Sequence, residues 1–201
     1  MQLIGMLDSA YVRRVAITMH LLGIPFEHRS LSVFSTYDEF RKINPVVKAP
    51  TLVCDDGVQL MDSTLIIDYL ETRAGRSLMP SAPEARRDAL RLIGLSLAAC
   101  EKVVQTVHEK RLRPAEKLHE PWEKRIREQL LSALEVLEHA LEARPLDAGA
   151  DIGQDGITVA VTWRFTQLLT PEIVPPAAFP ALAAYSARAE RLPAFIAAPP
   201  L

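Results

Sequence analysis

A small α/β domain followed by an all-helical domain is the architecture this 201-residue sequence predicts. Two observations carry the prediction. Over the first 80 residues the apolar pattern changes period repeatedly, from short strand-like runs to helical spacing and back. After about Ser81 the helical period persists almost to the end. The expected division is residues 1–80 and 86–201, joined near residues 74–86.

Gln2 to Met6, with Leu3, Ile4 and Met6 apolar, forms a short strand. Asp8 and Ser9 stand where a helix N-cap belongs, and Val12, Val15, Met19 and Leu22 then recur at helical spacing until Gly23 and Pro25 stop the run. Phe26 to Ser32 alternates loosely as a second strand. Phe34 to Ile43 is polar with helical character and breaks at Asn44-Pro45. Ala49 to Cys54 is a third strand, joined through the hairpin-type turn Asp55-Asp56-Gly57 to Val58–Met61. Asp62-Ser63 caps a helix from Thr64 to Glu71. The order is β-α-β-(α)-β-β-α.

In the second half, Leu90, Ile93, Leu97, Cys100, Val104 and Val107 make one helical stripe. Trp122, Ile126, Leu130, Leu134, Leu137 and Leu141 make another, with Pro121 at a first helical position. Ile157 to Leu169 is apolar nearly all round, apart from Thr158, Thr162, Arg164, Thr166 and Gln167, as suits the middle of a bundle. One more short helix is expected near Ala181 to Arg191, among thickening prolines.

Composition narrows the function classes. Hydrophobic residues are 49% and charged residues 24%, and the formal net charge of −2 argues against a general nucleic-acid grip. No apolar run approaches the ~18–20 residues of a membrane span. The N-terminus lacks the basic flank of a signal peptide. Cys54 and Cys100 lie far apart among apolar neighbours, as small core residues of a reducing compartment do. The expectation is a cytoplasmic protein with no membrane or nucleic-acid partner. No metal site is expected, because the five histidines show no ligand spacing.

Chemistry is expected at loop-to-element junctions of the first domain. Ser9 follows a strand and precedes a helix, so its hydroxyl and the first free amides point the same way and favour an anion; equally, Asp8 or Ser9 is a simple helix cap. Pro50 opens a strand, where its missing N–H is tolerated. A cis bond to Ala49 would turn the Ala49 backbone toward an extended ligand, whereas a trans bond makes Pro50 an ordinary strand start. Asp62-Ser63 offers a carboxylate for an ammonium, and a hydroxyl with helix amides for a carboxylate, matching the two charges of an α-amino acid. Lys48 meets a second carboxylate or is solvated. Arg13 and Arg14 sit early in a helix, where the dipole disfavours cations, and a solvated face is the simpler reading beside acidic partners or a dimer mate.

These sites together resemble the glutathione transferase superfamily. The segments that carry the resemblance are SAYVRRV (9–15), NPVVKAPTLV (44–53), MDSTLIIDYLE (61–71) and ITVAVTWRF (157–165), and it covers nearly the whole chain. It implies a thioredoxin-like N-terminal domain ahead of a helical bundle, a bacterial serine-type member, cytoplasmic detoxification, and a homodimer contacting through the helical domain. Carried over, Ser9 donates to the glutathione sulfur, Ala49 before cis Pro50 pairs with the cysteinyl backbone, Asp62 and Ser63 hold the γ-glutamyl charges, and Lys48 lies near the glycyl end. A free thiol has a pKa near ~8.5, and lowering it by two units takes only ~2.7 kcal/mol, within reach of a hydroxyl and a helix N-terminus.

The electrophile is expected against Met6, Leu7 and Ala10 of the first loop and Gln105, His108, Arg111 and Leu112 of the first long helix. A wet helix face is the other reading of His108 and Arg111. The chain departs from the family pattern in three places. Ala10 replaces the common proline and loosens the Ser9 loop. No cysteine lies near Ser9, which disfavours thiol-transfer chemistry. Gly153-Gln154-Asp155-Gly156 replaces a Ser/Thr-x-x-Asp capping box, for a helix start ~1 kcal/mol weaker unless Asp151 or Asp155 substitutes. The competing function is a glutathione-binding or protein-interaction member that has lost the reaction. Thiol-disulfide exchange would require Cys54 or Cys100 to be exposed.

Overall fold

A computed structural model describes residues 1–149 and 151–200. Leu201, the last residue of the expected helical domain, and Ala150 lie outside the described residues. The chain divides into two compact units, residues 1–78 with 191–200 and residues 79–190.

The first unit is built on a four-stranded mixed sheet of order β2-β1-β3-β4. Its strands are β1 (Gln2–Ile4), β2 (Glu27–Arg29), β3 (Thr51–Val53) and β4 (Gln59–Met61), each shorter than the sequence pattern suggests. β1 pairs parallel with β2 and antiparallel with β3, and β3 pairs antiparallel with β4. The parallel pair needs a crossover, which α1 (Ala10–Leu21) supplies. The antiparallel pair needs only a tight turn. Gly57, at φ +87°, makes it, and Asp56 Oδ1 accepts the Val58 amide at 3.1 Å.

Strand alternation puts helices on both sheet faces. Ile4 and Val53 join Leu31 and Phe40 in one cluster, where Phe40 comes from α2 (Tyr37–Ile43). Leu3 and Leu52, register partners and both fully buried, point to the opposite face, where α1 packs on α3 (Ser63–Ala74). Gly75 ends α3 in the left-handed conformation.

The second unit holds α4 (Pro83–Leu112), α5 (Glu120–Ala143), α6 (Gln154–Leu169) and α7 (Pro180–Ala189), with α4 packed on both α5 and α6. α6 is the buried helix. Its threonines are buried too: Thr158 and Thr166, with Thr170 at the C-cap, return their hydroxyls to the carbonyls four residues back, at 2.7–3.1 Å. That local bond lets a polar stripe enter an apolar bundle. The N-cap of α6 is Gly153, and Asp155 Oδ1 takes the Gly156 amide at 2.9 Å, so Asp155 performs the substitution foreseen for the missing box. A Cβ at 156 would run into the Tyr185 hydroxyl and sit 3.0 Å from Ile152 Cγ1, so a side chain there requires Tyr185 to shift.

The tail departs from the expected division. Residues 191–200, with the short helix α8 (Pro193–Ile196), belong to the first unit and not to the helical one. The reason is Arg13, 2% exposed: its Nε donates to the Ala198 carbonyl at 2.8 Å, its Nη2 to the Phe195 carbonyl at 3.5 Å, and its guanidinium lies 5.6 Å from the Phe195 ring centre. Among the described residues no helix is long and apolar enough to cross a membrane.

Candidate functional site

The sheet register brings three loops to one end. Ile4 at the end of β1 faces Thr51 at the start of β3, which in turn faces Met61 at the end of β4. The residues just after Ile4, just before Thr51 and just after Met61 therefore emerge together. These are the loop to Ser9, the Lys48-Ala49-Pro50 segment and Asp62-Ser63.

Close backbone approach joins the first two loops. Gly5 adopts φ +135°, and a Cβ on it would meet Val12 Cγ2 at 2.6 Å and Ala49 Cβ at 3.2 Å, so only glycine fits. Ser9 is half-buried at the N-cap of α1, and its carbonyl accepts the Arg13 amide at 2.9 Å. Its hydroxyl makes no bond to the helix amides. The capping reading of Ser9 thus has no hydrogen bond behind it. Ala10, at the first position of α1, is buried, as is Leu7, while Met6 is half-buried.

The Ala49–Pro50 bond is cis. The segment before it is held by Asn44, 2% exposed, whose Nδ2 donates to Thr51 Oγ1 at 2.8 Å while its Oδ1 accepts the Val46 amide at 3.0 Å. Thr51 Oγ1 passes its own proton to the Lys48 carbonyl at 2.7 Å. This network holds Val47 at φ +52°, which a β-branched residue rarely adopts. Lys48 is exposed, Ala49 half-buried and Pro50 buried.

At the third loop Asp62 adopts φ +69°, and its Oδ1 accepts the Thr64 amide at 2.8 Å, so it caps α3 as expected. Asp62 is exposed, whereas Ser63 is 2% exposed. The Ser63 hydroxyl accepts from Nη1 of Arg14 at 3.2 Å. The same nitrogen donates to Thr64 Oγ1, also at 3.2 Å.

One reading requires correction. Arg13 and Arg14 are not a solvated face; they are among the largest fully buried side chains, held by the tail carbonyls and by the α3 hydroxyls. The helix-dipole argument is overridden because those acceptors lie within reach. Sequence reasoning also missed Asn44, taken as a break signal alone, and Arg14 as a neighbour of Ser63. The pattern Asn-Pro ahead of a strand is the only signal that could have found the former. In the helical unit, His108 and Arg111 are exposed on α4. Cys54 and Cys100 form no disulfide and are both buried, which removes the condition set for thiol exchange. Among the described residues no group of three or more metal-ligating side chains converges.

Residues 3–78 match the family described as glutathione S-transferase, N-terminal domain. A glutathione transferase family member from Pseudomonas fluorescens Pf-5, with bound S-(propanoic acid)-glutathione, is 28% identical, covers 100% of both chains and superposes with a TM-score of 0.82. The chain belongs to the glutathione transferase superfamily. A glutathione S-transferase from Methylobacterium radiotolerans in complex with glutathione sulfonate shares 27% identity over 98% of this chain and 93% of its own, with a TM-score of 0.90. The GST-like protein YibF of Escherichia coli is 28% identical over 139 residues, 69% of this chain and 68% of its own. The thioredoxin-like domain and helical region expected of the superfamily are the fold described above.

Proposed function

We propose that this protein is a glutathione transferase in which Ser9 stabilises the glutathione thiolate for attack on a small electrophile. The observation that carries the reading is the Ser9 hydroxyl: it sits at the N-terminus of α1, is not used to cap that helix, and shares a sheet end with Ala49-Pro50 and Asp62-Ser63. Structural relatives holding glutathione or its derivatives support it.

In this reading the Ala49 backbone pairs with the cysteinyl unit, Asp62 takes the γ-glutamyl ammonium, Ser63 takes the γ-glutamyl carboxylate, and Lys48 meets the glycyl end. The hydroxyl proton of Ser9 and the positive end of α1 both favour sulfur as the anion. The thiolate then bonds to an electrophilic carbon, so the protein contributes thiolate formation and orientation. On the first unit, Met6, Leu7 and Ala10 beside the Ser9 loop are the proposed electrophile lining. A homodimer working in cytoplasmic detoxification completes the proposal.

The test is a calorimetric titration with glutathione, read beside thiolate absorbance of the bound ligand across pH. Saturable binding with the thiol pKa well below ~8.5 is the expected result. Binding without a shift would make the protein a glutathione carrier, and no binding would make it an interaction protein on the same fold.

A further inference from the structure

We propose that Arg14 is a positioning residue that makes the Ser63 end of the site selective for a carboxylate. The assignment rests on the glutathione reading above and adds to it the group that gives the subsite its polarity. Arg14 lies in the second turn of α1, 1% exposed, and its Nη1 is 3.2 Å from both Ser63 Oγ and Thr64 Oγ1.

A guanidinium has only donors. Each hydroxyl must therefore accept from Arg14, and its single proton is left to be donated elsewhere. Among the described residues neither hydroxyl donates to a protein acceptor, and the Thr64 amide is taken by Asp62 Oδ1, so that amide is not available to a ligand. The Ser63 hydroxyl, beside the first amides of α3, is then a donor waiting for an acceptor, with a buried positive charge directly behind it. A carboxylate satisfies that arrangement. An ammonium would meet a donor and a like charge, and is sent to Asp62 instead. Arg14 thereby fixes which way round an α-amino acid head binds.

A merely structural Arg14 would weaken all ligands alike, so the readout is a ratio. Dissociation constants are measured by calorimetry for glutathione and for 4-aminobutyryl-cysteinyl-glycine, which keeps the ammonium and lacks the γ-glutamyl carboxylate. The full chain is compared with its Arg14→Met, Arg14→Gln and Arg14→Lys variants, each checked for folding by circular dichroism. Either neutral variant suffices if the other fails to fold. The native protein should prefer glutathione, and the neutral variants should narrow that preference about tenfold, with the loss on the glutathione side. Arg14→Lys should restore part of it. Equal weakening of both ligands would overturn the assignment and leave the glutathione reading intact, as would a native protein that binds both ligands equally. A native protein that binds neither would overturn the glutathione reading and this assignment with it.

Discussion

In the proposed mechanism a single hydroxyl, that of Ser9, decides whether the site does chemistry. The Ser9 side chain makes no bond to its own helix, so on the proposed mechanism its removal costs little in helix stability and acts on the bound thiol. Ser9→Ala is expected to lower conjugation rates at neutral pH by on the order of 10–100-fold, with a much smaller change in glutathione affinity. The deficit should shrink as pH rises through the free thiol range, where the thiolate forms unaided; a pH-rate profile that is lowered uniformly would remove Ser9 from thiolate stabilisation. Asn44 works at the same scale by a different route. Its side chain bonds the Val46 amide and the Thr51 hydroxyl from a buried position. Asn44→Ala leaves both partners without it, at a cost of about 1–3 kcal/mol, and the loss should register in the urea midpoint as well as in glutathione affinity.

At the scale of an element, the start of α6 and the middle of α7 form one unit. The Tyr185 hydroxyl donates to the Asp147 carbonyl at 3.1 Å and occupies the space a Cβ at Gly156 would need. Gly156→Ala should therefore cost about 1–3 kcal/mol in the native background and distinctly less in Tyr185→Phe, a coupling of about 1 kcal/mol in a double-mutant cycle. Burial, followed by the Asp155 and Asp147 charges, pushes the Tyr185 phenol well above its ordinary value. The unfolded chain thus releases that proton first. The native state is relatively favoured while both forms stay protonated, and stability is lost as pH rises above ~10. Thermal melts of Tyr185→Phe should show a shallower alkaline decline than the native protein; parallel curves would argue that the phenol is not what titrates.

Across the whole molecule, the chain end returns to the unit in which the chain began. Arg13 holds residues 195–198 through carbonyl bonds and the Phe195 ring. Arg13→Met should cost about 2–4 kcal/mol, because it removes charge-assisted donors from buried acceptors. It should also raise amide exchange across 191–200 before exchange rises in the β1–β4 sheet. Simultaneous loss of protection in both would mean that the tail and sheet open as one cooperative unit.

The periods of apolar residues, 2 and 3.6, are local properties, and they settled by themselves the α/β-then-helical order, the Asp55–Gly57 turn and the buried character of Ile157 to Leu169. Residue identities at loop junctions likewise marked Ser9, Ala49-Pro50 and Asp62-Ser63. What the pattern could not express is which distant acceptor a long side chain finds. Arg13 and Arg14 are adjacent, alike and placed where a helix dipole disfavours them, yet one reaches the chain end and the other the α3 hydroxyls. Asn44 bonds across seven residues, and Gly156 yields to a tyrosine twenty-nine positions on. Burial of a polar group depends on partners supplied by the folded chain, because only tertiary contact can offset its desolvation. The sequence determined the architecture and named the loops; the tertiary structure decided which polar groups support them.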